Sequence, residues 1–291
     1  MSCDATLQLR DGRILAYSEA GAREGAPVFH FPGSPGSRLE CWGGDAPYRT
    51  AGARLITTDR PGIGRSDHQP GRTLLDWPSD VAELADALGV RRFAVMGHSL
   101  GAAYALACAY ARPDLVTVAA ILGPVPRLDE PGGIDALGPA RYWRVTARWP
   151  AAMRVTYAGF TWALRLVPRF GHWLYFRGAS EADRIAVDHP GVRRRFRATV
   201  LEAVRQGSRG LVDDMRVVLQ PWGFEPADLT AEVMLWHGRR DEHVSPRVAE
   251  RYAATIPRCA VTFLEDEGHF SLVEGHAEQI VRPLVERVSA R

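Results

Sequence analysis

The stretch FAVMGHSLGAAYALACAY, residues 93–110, decides the fold of this chain. An apolar run comes first, then Gly97-His98-Ser99-Leu100-Gly101, and then an alanine-rich run typical of a helix. A serine with a glycine two residues away on each side fits a sharp turn from a strand into a helix, because side chains at the two glycines would clash. The stretch therefore predicts that Ser99 is lifted out of a sheet at the start of a helix.

Such a turn prepares the serine for nucleophilic attack. The helix dipole favours negative charge at the helix N-terminus, and the backbone N–H of Leu100 is expected to point at the oxyanion of the intermediate. We expect His98 to support the site by packing and hydrogen bonding beside it. Gly97 and Gly101 are expected to support it by leaving room for the turn.

Segments of strand length recur along the chain with helical segments between them, and residues 6–9 and 14–17 predict a short antiparallel pair at the start. The apolar segments include residues 27–31, 54–58, 93–96, 116–122, 233–236 and 261–264. Near-continuous apolar strands are typical of parallel sheets that are buried on both faces. The alternation predicts an α/β fold with a mostly parallel, twisted sheet of about eight strands flanked by helices.

The alternation stops between Leu122 and Glu232, where helical segments rich in aromatic residues follow one another. We therefore predict a core domain from residues 1–124 and 229–291, and an all-helical lid (cap) over residues 125–228, called the helical insertion below. Most of its aromatic residues are expected to form its own core, and a few to line an apolar pocket. They are Tyr142, Trp143, Trp149, Tyr157, Phe160, Trp162, Phe170, Trp173, Tyr175 and Phe176.

A serine hydroxyl needs a base, and the base needs an acid that fixes its tautomer. His269 follows the last predicted strand, at the sheet edge where Ser99 is expected, and we predict that it is the base. Asp241 follows the preceding strand and gives the chain order Ser, Asp, His, so we predict that it is the acid. His243 stays open as an alternative base and Glu242 as an alternative acid.

A second oxyanion donor is expected from the loop FPGSPGSR, residues 31–38. Its glycines let the backbone approach a ligand closely. We predict that the backbone N–H of Ser34 is the donor, with Gly33 beside it.

These motifs resemble the α/β-hydrolase-fold superfamily. Besides the turn at Ser99, the family's DxxGxGxS turn is similar to Asp59-Arg60-Pro61-Gly62-Ile63-Gly64-Arg65-Ser66. The family's HGxPG loop is similar to Pro32-Gly33-Ser34-Pro35-Gly36, in which Pro32 replaces the histidine. The similarity covers residues 5–125 and 230–290. It implies a serine hydrolase in which residues 125–228 form a lid between the sixth and seventh main strands.

The resemblance leaves several reactions open. Ser99 argues against dehalogenases and epoxide hydrolases, which use aspartate at this turn. The first expectation is a serine hydrolase that cleaves an ester, lactone or thioester of a hydrophobic small molecule through an acyl-enzyme. Haloperoxidase-like chemistry, C–C bond hydrolysis and a proline-iminopeptidase-like aminopeptidase stay open, although Leu100 stands where those peptidases usually carry tryptophan. A ligand-binding receptor or a non-hydrolytic biosynthetic enzyme on the same fold is also open.

Composition excludes several classes of binding partner and cofactor from what we expect. The formal net charge is +2 and all 36 basic residues are arginine, so no nucleic acid is expected. The four cysteines are scattered, and no motif for a metal or cofactor occurs, so neither is expected. No apolar run approaches the ~20 residues that span a bilayer, and residues 1–10 lack the apolar part of a signal peptide. We therefore expect a cytoplasmic monomer or homodimer that binds a small hydrophobic substrate and no membrane.

Overall fold

A mixed β-sheet forms the centre of the protein, described here by a computed structural model over residues 3–138 and 140–290. Within these residues the sheet has eight strands, in the order β1-β2-β4-β3-β5-β6-β7-β8. The strands are β1 Cys3–Gln8, β2 Ile14–Gly21, β3 Ala26–Phe31, β4 Ala53–Thr58, β5 Phe93–His98, β6 Val116–Leu122, β7 Glu232–Gly238 and β8 Cys259–Leu264. Strand β2 is antiparallel to both of its neighbours and all other pairs are parallel, which confirms the predicted fold class.

Two apolar clusters lie on opposite faces of the sheet. Along β5, Phe93 and Val95 belong to one cluster, and Ala94 and Met96 belong to the other. This alternation follows from the two-residue period of a strand, and it explains why the sequence of β5 is apolar throughout. The helices that pack outside the insertion are α1 Asp45–Ala51, α2 Trp77–Ala87, α3 Gly101–Ala111, α10 Arg247–Thr255, α11 Ser271–Gly275 and α12 Ala277–Ser289.

The helical insertion follows β6 and precedes β7. In its described part it contains six α-helices, which are α4 Ala140–Arg148, α5 Pro150–Leu166, α6 Pro168–Phe176, α7 Glu181–Asp188, α8 Pro190–Ala203 and α9 Arg209–Leu219. Among residues 3–138 and 140–290, no helix is both long and apolar enough to cross a membrane.

Some aromatic residues of the insertion pack on the sheet domain, and others face solvent. Tyr157 packs in the apolar cluster that contains Leu100, and Phe160 packs in the cluster that contains Phe270, so both join the sheet domain. These two residues therefore do not belong to a separate core of the insertion, whereas Trp143 and Tyr175 line the cavity described below. Four others point outward and are at least half exposed, namely Trp149, Trp162, Phe170 and Trp173.

Candidate active site

Ser99 occupies a strained turn between β5 and α3. Its φ is 54°, a left-handed conformation that a non-glycine residue adopts only at a cost. Its N–H donates to the carbonyl of Leu122 on β6 at 2.8 Å, which holds the turn against the neighbouring strand. A Cβ on Gly101 would lie 2.0 Å from the carbonyl oxygen of Phe31, and one on Gly97 would lie 2.2 Å from the carbonyl oxygen of Gly101. The turn therefore needs both glycines.

A small, mostly apolar cavity of about 80 Å³ lies over this turn. Both the core and the insertion contribute apolar side chains, among them Trp143, Tyr175 and Met215 from the insertion. The predicted site residues that line the cavity are Gly33, Ser34, His98, Ser99, Leu100 and His269. Asp241, Gly97 and Gly101 are not part of its lining; Asp241 is connected to it through His269, and the two glycines shape the turn.

His269 and Asp241 form a buried pair. Nδ1 of His269 lies 2.7 Å from Oδ2 of Asp241, and Oδ1 of Asp241 accepts the backbone N–H of His243 and of Val244, each at 2.8 Å. The His243 ring stacks on the His269 ring, with centroids 5.2 Å apart, and Glu242 is exposed. The geometry thus favours His269 over His243 as the base and Asp241 over Glu242 as the acid.

Burial sets the charge of these groups. It lowers the pKa of His269 to about 4 and raises the pKa of Asp241 to about 6. At pH 7 the histidine is therefore neutral and the aspartate is ionised. Because the carboxylate can only accept, Nδ1 of His269 carries the proton and Nε2 is free to take one.

His98 supports the loop that carries His269. Burial lowers its pKa to about 3, so its ring is neutral. Its Nε2–H donates to the carbonyl oxygen of His269 at 3.2 Å. The His98 and His269 rings also lie 4.7 Å apart, so His98 fixes both the backbone and the ring of the loop.

Asp183, on α7 of the insertion, holds the same loop from the other side, and sequence reasoning missed it. Its carboxylate is fully buried and accepts three backbone N–H groups, from His269 at 3.0 Å, Phe270 at 2.7 Å and Ser271 at 2.8 Å. The Oγ of Ser180 accepts the N–H of Asp183 at 3.1 Å. Gly268 leaves no room for a side chain here, since a Cβ would lie 2.3 Å from the Asp183 carboxylate.

Arg60 holds the loop that carries Ser34. It belongs to the DxxGxGxS-like turn and donates to the carbonyl oxygens of Pro32 and, at 3.1 Å, Gly33. In a planar trans peptide the N–H points opposite to the C=O, so the Ser34 N–H is directed away from Arg60. Asp214, fully buried on α9, accepts from Nε of Arg60 at 2.8 Å and fixes the guanidinium.

Asp214 is also bound from the other side. The hydroxyl of Tyr104 donates to it at 2.9 Å, and Arg72 donates to the same carboxylate oxygen. The insertion therefore supplies one buried carboxylate to the His269 loop and another to the Ser34 loop. Among residues 3–138 and 140–290, no group of three or more His, Cys, Asp or Glu residues is placed to hold a metal ion.

Comparison with known proteins gives one family match and several partial ones. The model of the alpha/beta hydrolase family matches residues 28–282. The chain is 36% identical over 124 residues to a non-heme chloroperoxidase of Streptomyces lividans. The aligned segment covers 42% of this chain and 45% of that protein. The chain is 27% identical over 153 residues to a proline iminopeptidase of Neisseria gonorrhoeae, 48% of each chain. The chain thus matches less than half the length of these curated relatives.

A solved structure is similar over nearly the whole chain. A hydrolase from Pseudomonas aeruginosa PA01 superposes with a TM-score of 0.70 at 26% identity, and the match covers 97% of this chain and 98% of that one. The similarity therefore includes the helical insertion as well as the sheet.

Proposed function

This chain belongs to the alpha/beta hydrolase family, and we propose that it is a serine hydrolase that cleaves an ester of a hydrophobic small molecule. One observation carries the proposal. The cavity brings Ser99, on its strained turn, together with His269, whose ring is paired to the buried Asp241 at 2.7 Å. Nucleophile, base and orienting acid in this arrangement support acyl transfer.

The proposed reaction has two halves. In the first, Nε2 of His269 takes the Ser99 hydroxyl proton while Oγ attacks the ester carbonyl, and the N–H groups of Ser34 and Leu100 stabilise the oxyanion. The C–O bond then breaks, and the leaving alcohol takes the proton from His269. In the second half, His269 deprotonates a water that attacks the acyl-enzyme, and the acid leaves as Ser99 regains its proton.

The cavity lining supports an ester over an amine-bearing substrate. Among the described residues that line it, Glu40 is the carboxylate that could bind a substrate amine. His30 already occupies it, with Nε2 2.9 Å from Oε1. Burial alone would raise the pKa of Glu40, but the hydrogen bond from His30 and the nearby histidines hold it below its ordinary value. A lactone or thioester would use the same groups as an ester.

The size of the cavity adds a limit on the acyl group. About 80 Å³ is well below the roughly 300 Å³ at which sites for drug-sized ligands begin. We therefore propose that the enclosed space takes a short acyl group and that the alcohol part extends out of it.

Labelling with a fluorophosphonate probe tests the nucleophile. We expect wild type and Ser289→Ala, a matched change at an exposed serine near the end of α12, to label, and Ser99→Ala not to label. Equal labelling of wild type and Ser99→Ala would overturn the assignment.

Turnover tests the reaction. Hydrolysis of p-nitrophenyl acetate is expected to fall by about four orders of magnitude or more in Ser99→Ala and His269→Ala. Labelling without turnover of any ester would favour a receptor or a non-hydrolytic enzyme. Faster turnover of prolyl-naphthylamide than of esters would favour the aminopeptidase.

A further inference from the structure

Helices α4 to α6 present an apolar surface to solvent. Its residues, called the aromatic face here, are between 50% and 73% exposed. They are Trp149, Val155, Trp162, Leu166, Phe170 and Trp173. Scattered single apolar residues are normal on protein surfaces, whereas a clustered set marks an interaction site.

Five of these residues form two groups on adjacent helices. On α5, Val155, Trp162 and Leu166 are spaced by seven and four residues, so they share one side of the helix. Phe170 and Trp173 on α6 stack on each other with ring centroids 5.7 Å apart, and α6 packs against α5. Because the opposite side of α5 is buried in the protein, the exposed stripe has no role in the fold's own core.

The same helices are strongly basic. Between Asp135 and Glu181 the sequence has no acidic residue and seven arginines, all of them exposed. They are Arg141, Arg144, Arg148, Arg154, Arg165, Arg169 and Arg177. Within the described part of the chain, Arg144 is the one of the seven that pairs with a carboxylate, that of Asp135 at 3.1 Å. This positive charge is concentrated here although the whole chain carries only +2.

We propose that the aromatic face binds the surface of a membrane that contains anionic lipids, with α5 and α6 lying in the interface. Helices that lie at the lipid–water boundary are typically rich in tryptophan, phenylalanine and arginine. Their apolar side chains lie among the acyl chains, and their arginines lie at the headgroups. This binding is peripheral and needs no spanning helix. It departs from the sequence-based expectation of no membrane partner.

The charge and the aliphatic residues select the lipid surface over two other partners. A second copy of this face would bring its arginines against like charges, which opposes a symmetric dimer. A nucleic acid would neutralise the arginines but has no acyl chains to surround Val155 and Leu166. An anionic bilayer offers negative charge to the arginines and acyl chains to the apolar side chains.

Flotation with lipid vesicles tests the proposal on the whole 291-residue chain. We expect the wild type to bind vesicles of phosphatidylcholine with phosphatidylglycerol, to bind vesicles of phosphatidylcholine alone weakly, and to release in high salt. The double variant Arg165→Gln/Arg169→Gln should bind about 30-fold more weakly, since each basic residue near an anionic surface contributes a factor of about five. Trp162→Ser/Trp173→Ser should also lose binding, because it removes the inserted side chains.

Arg91→Gln/Arg92→Gln is the matched control. It removes the same charge from exposed arginines that precede β5, at the sheet edge opposite the Ser99 turn, and should bind like the wild type. Equal loss in this control, or no binding to anionic vesicles, would overturn the proposal. So would dimerisation that Trp162→Ser/Trp173→Ser abolishes, or tighter binding to double-stranded RNA than to the vesicles. Ester hydrolysis in detergent-free buffer is expected to be unchanged in all three variants, so this test is independent of the proposed reaction.

Discussion

The carboxylate of Asp183 allows a sharp test of how the insertion supports His269. One of its oxygens, Oδ1, accepts the N–H groups of Phe270 and Ser271, and the other, Oδ2, accepts the N–H of His269. In Asp183→Asn the amide oxygen can keep the pair at Phe270 and Ser271. The new NH₂ group then faces the N–H of His269, donor against donor. The bond that is lost is thus the one to His269 itself.

The expected size of the effect follows from the number and type of bonds. A hydrogen bond to a charged group contributes about 1.5–3 kcal/mol, so Asp183→Asn should destabilise the folded protein by about 2 kcal/mol. Misplacement of a catalytic group by about 1 Å costs on the order of 100-fold in rate. We therefore expect kcat for p-nitrophenyl acetate to fall about 10- to 100-fold, with KM changed much less.

The assay separates positioning from stability. Active sites are counted by fluorophosphonate titration well below the melting temperature, and kcat is expressed per titrated site. Asp188→Asn, at the exposed end of the same helix, is the control and should keep wild-type kcat. If Asp183→Asn has wild-type kcat per titrated site, the carboxylate is structural only and the reasoning is refuted.

Three further predictions follow from the site. Burial lowers the pKa of His269 to about 4 and raises that of Asp241 to about 6, and the base must be neutral to act. The value of kcat/KM should therefore be at its maximum at pH 7 and should fall only as the pH drops through an apparent pKa between about 4 and about 6. A fall in kcat/KM centred at or above about pH 7 would contradict this. Asp214→Asn leaves the buried Arg60 without its carboxylate and should lower the free energy of unfolding by about 3–5 kcal/mol in urea titrations; a loss below about 1 kcal/mol would show that Arg60 does not depend on Asp214. Trp143→Ala enlarges the cavity and should raise the hexanoate-to-acetate ratio of kcat/KM about tenfold or more, and an unchanged ratio would place the acyl group elsewhere.

The sequence predicted the features that depend on neighbouring residues. The turn at Ser99 combines an apolar strand, flanking glycines and an alanine-rich helix within residues 93–110. Because these signals are adjacent in the sequence and agree with one another, together they predict the turn. Strands β5 and β6 were predictable for a similar reason, since all their residues are buried and nearly all are apolar. The roles of Ser99, Asp241 and His269 in catalysis stay predictions, although the structure pairs the last two and has Ser99 and His269 lining one cavity.

Contacts between distant parts of the chain were not predictable in this way. Asp183 lies 86 residues before His269, and Asp214 lies 154 residues after Arg60. Asp183 also stands in the first turn of a helix, where an acidic residue already has a local explanation in the helix dipole, and this hides its second role.

The exposure of the aromatic residues was not predictable for a different reason. On α5 the apolar residues that face the protein and those that face solvent alternate with nearly the same helical period. A helix with two apolar sides gives no pattern that says which side is buried. The tertiary structure alone distinguishes Trp162, which is exposed, from Phe160, which is not.

The two buried carboxylates of the insertion restrict how the family's parts can be recombined. A chimaera that replaced residues 125–228 with the insertion of a relative would receive a new cavity wall, but the loops of His269 and Ser34 would lose Asp183 and Asp214. Such a chimaera is expected to be less stable and less active than either parent unless equivalent carboxylates come with the new segment. Changes of specificity that keep both carboxylates in place are therefore expected on the insertion's surface facing the cavity.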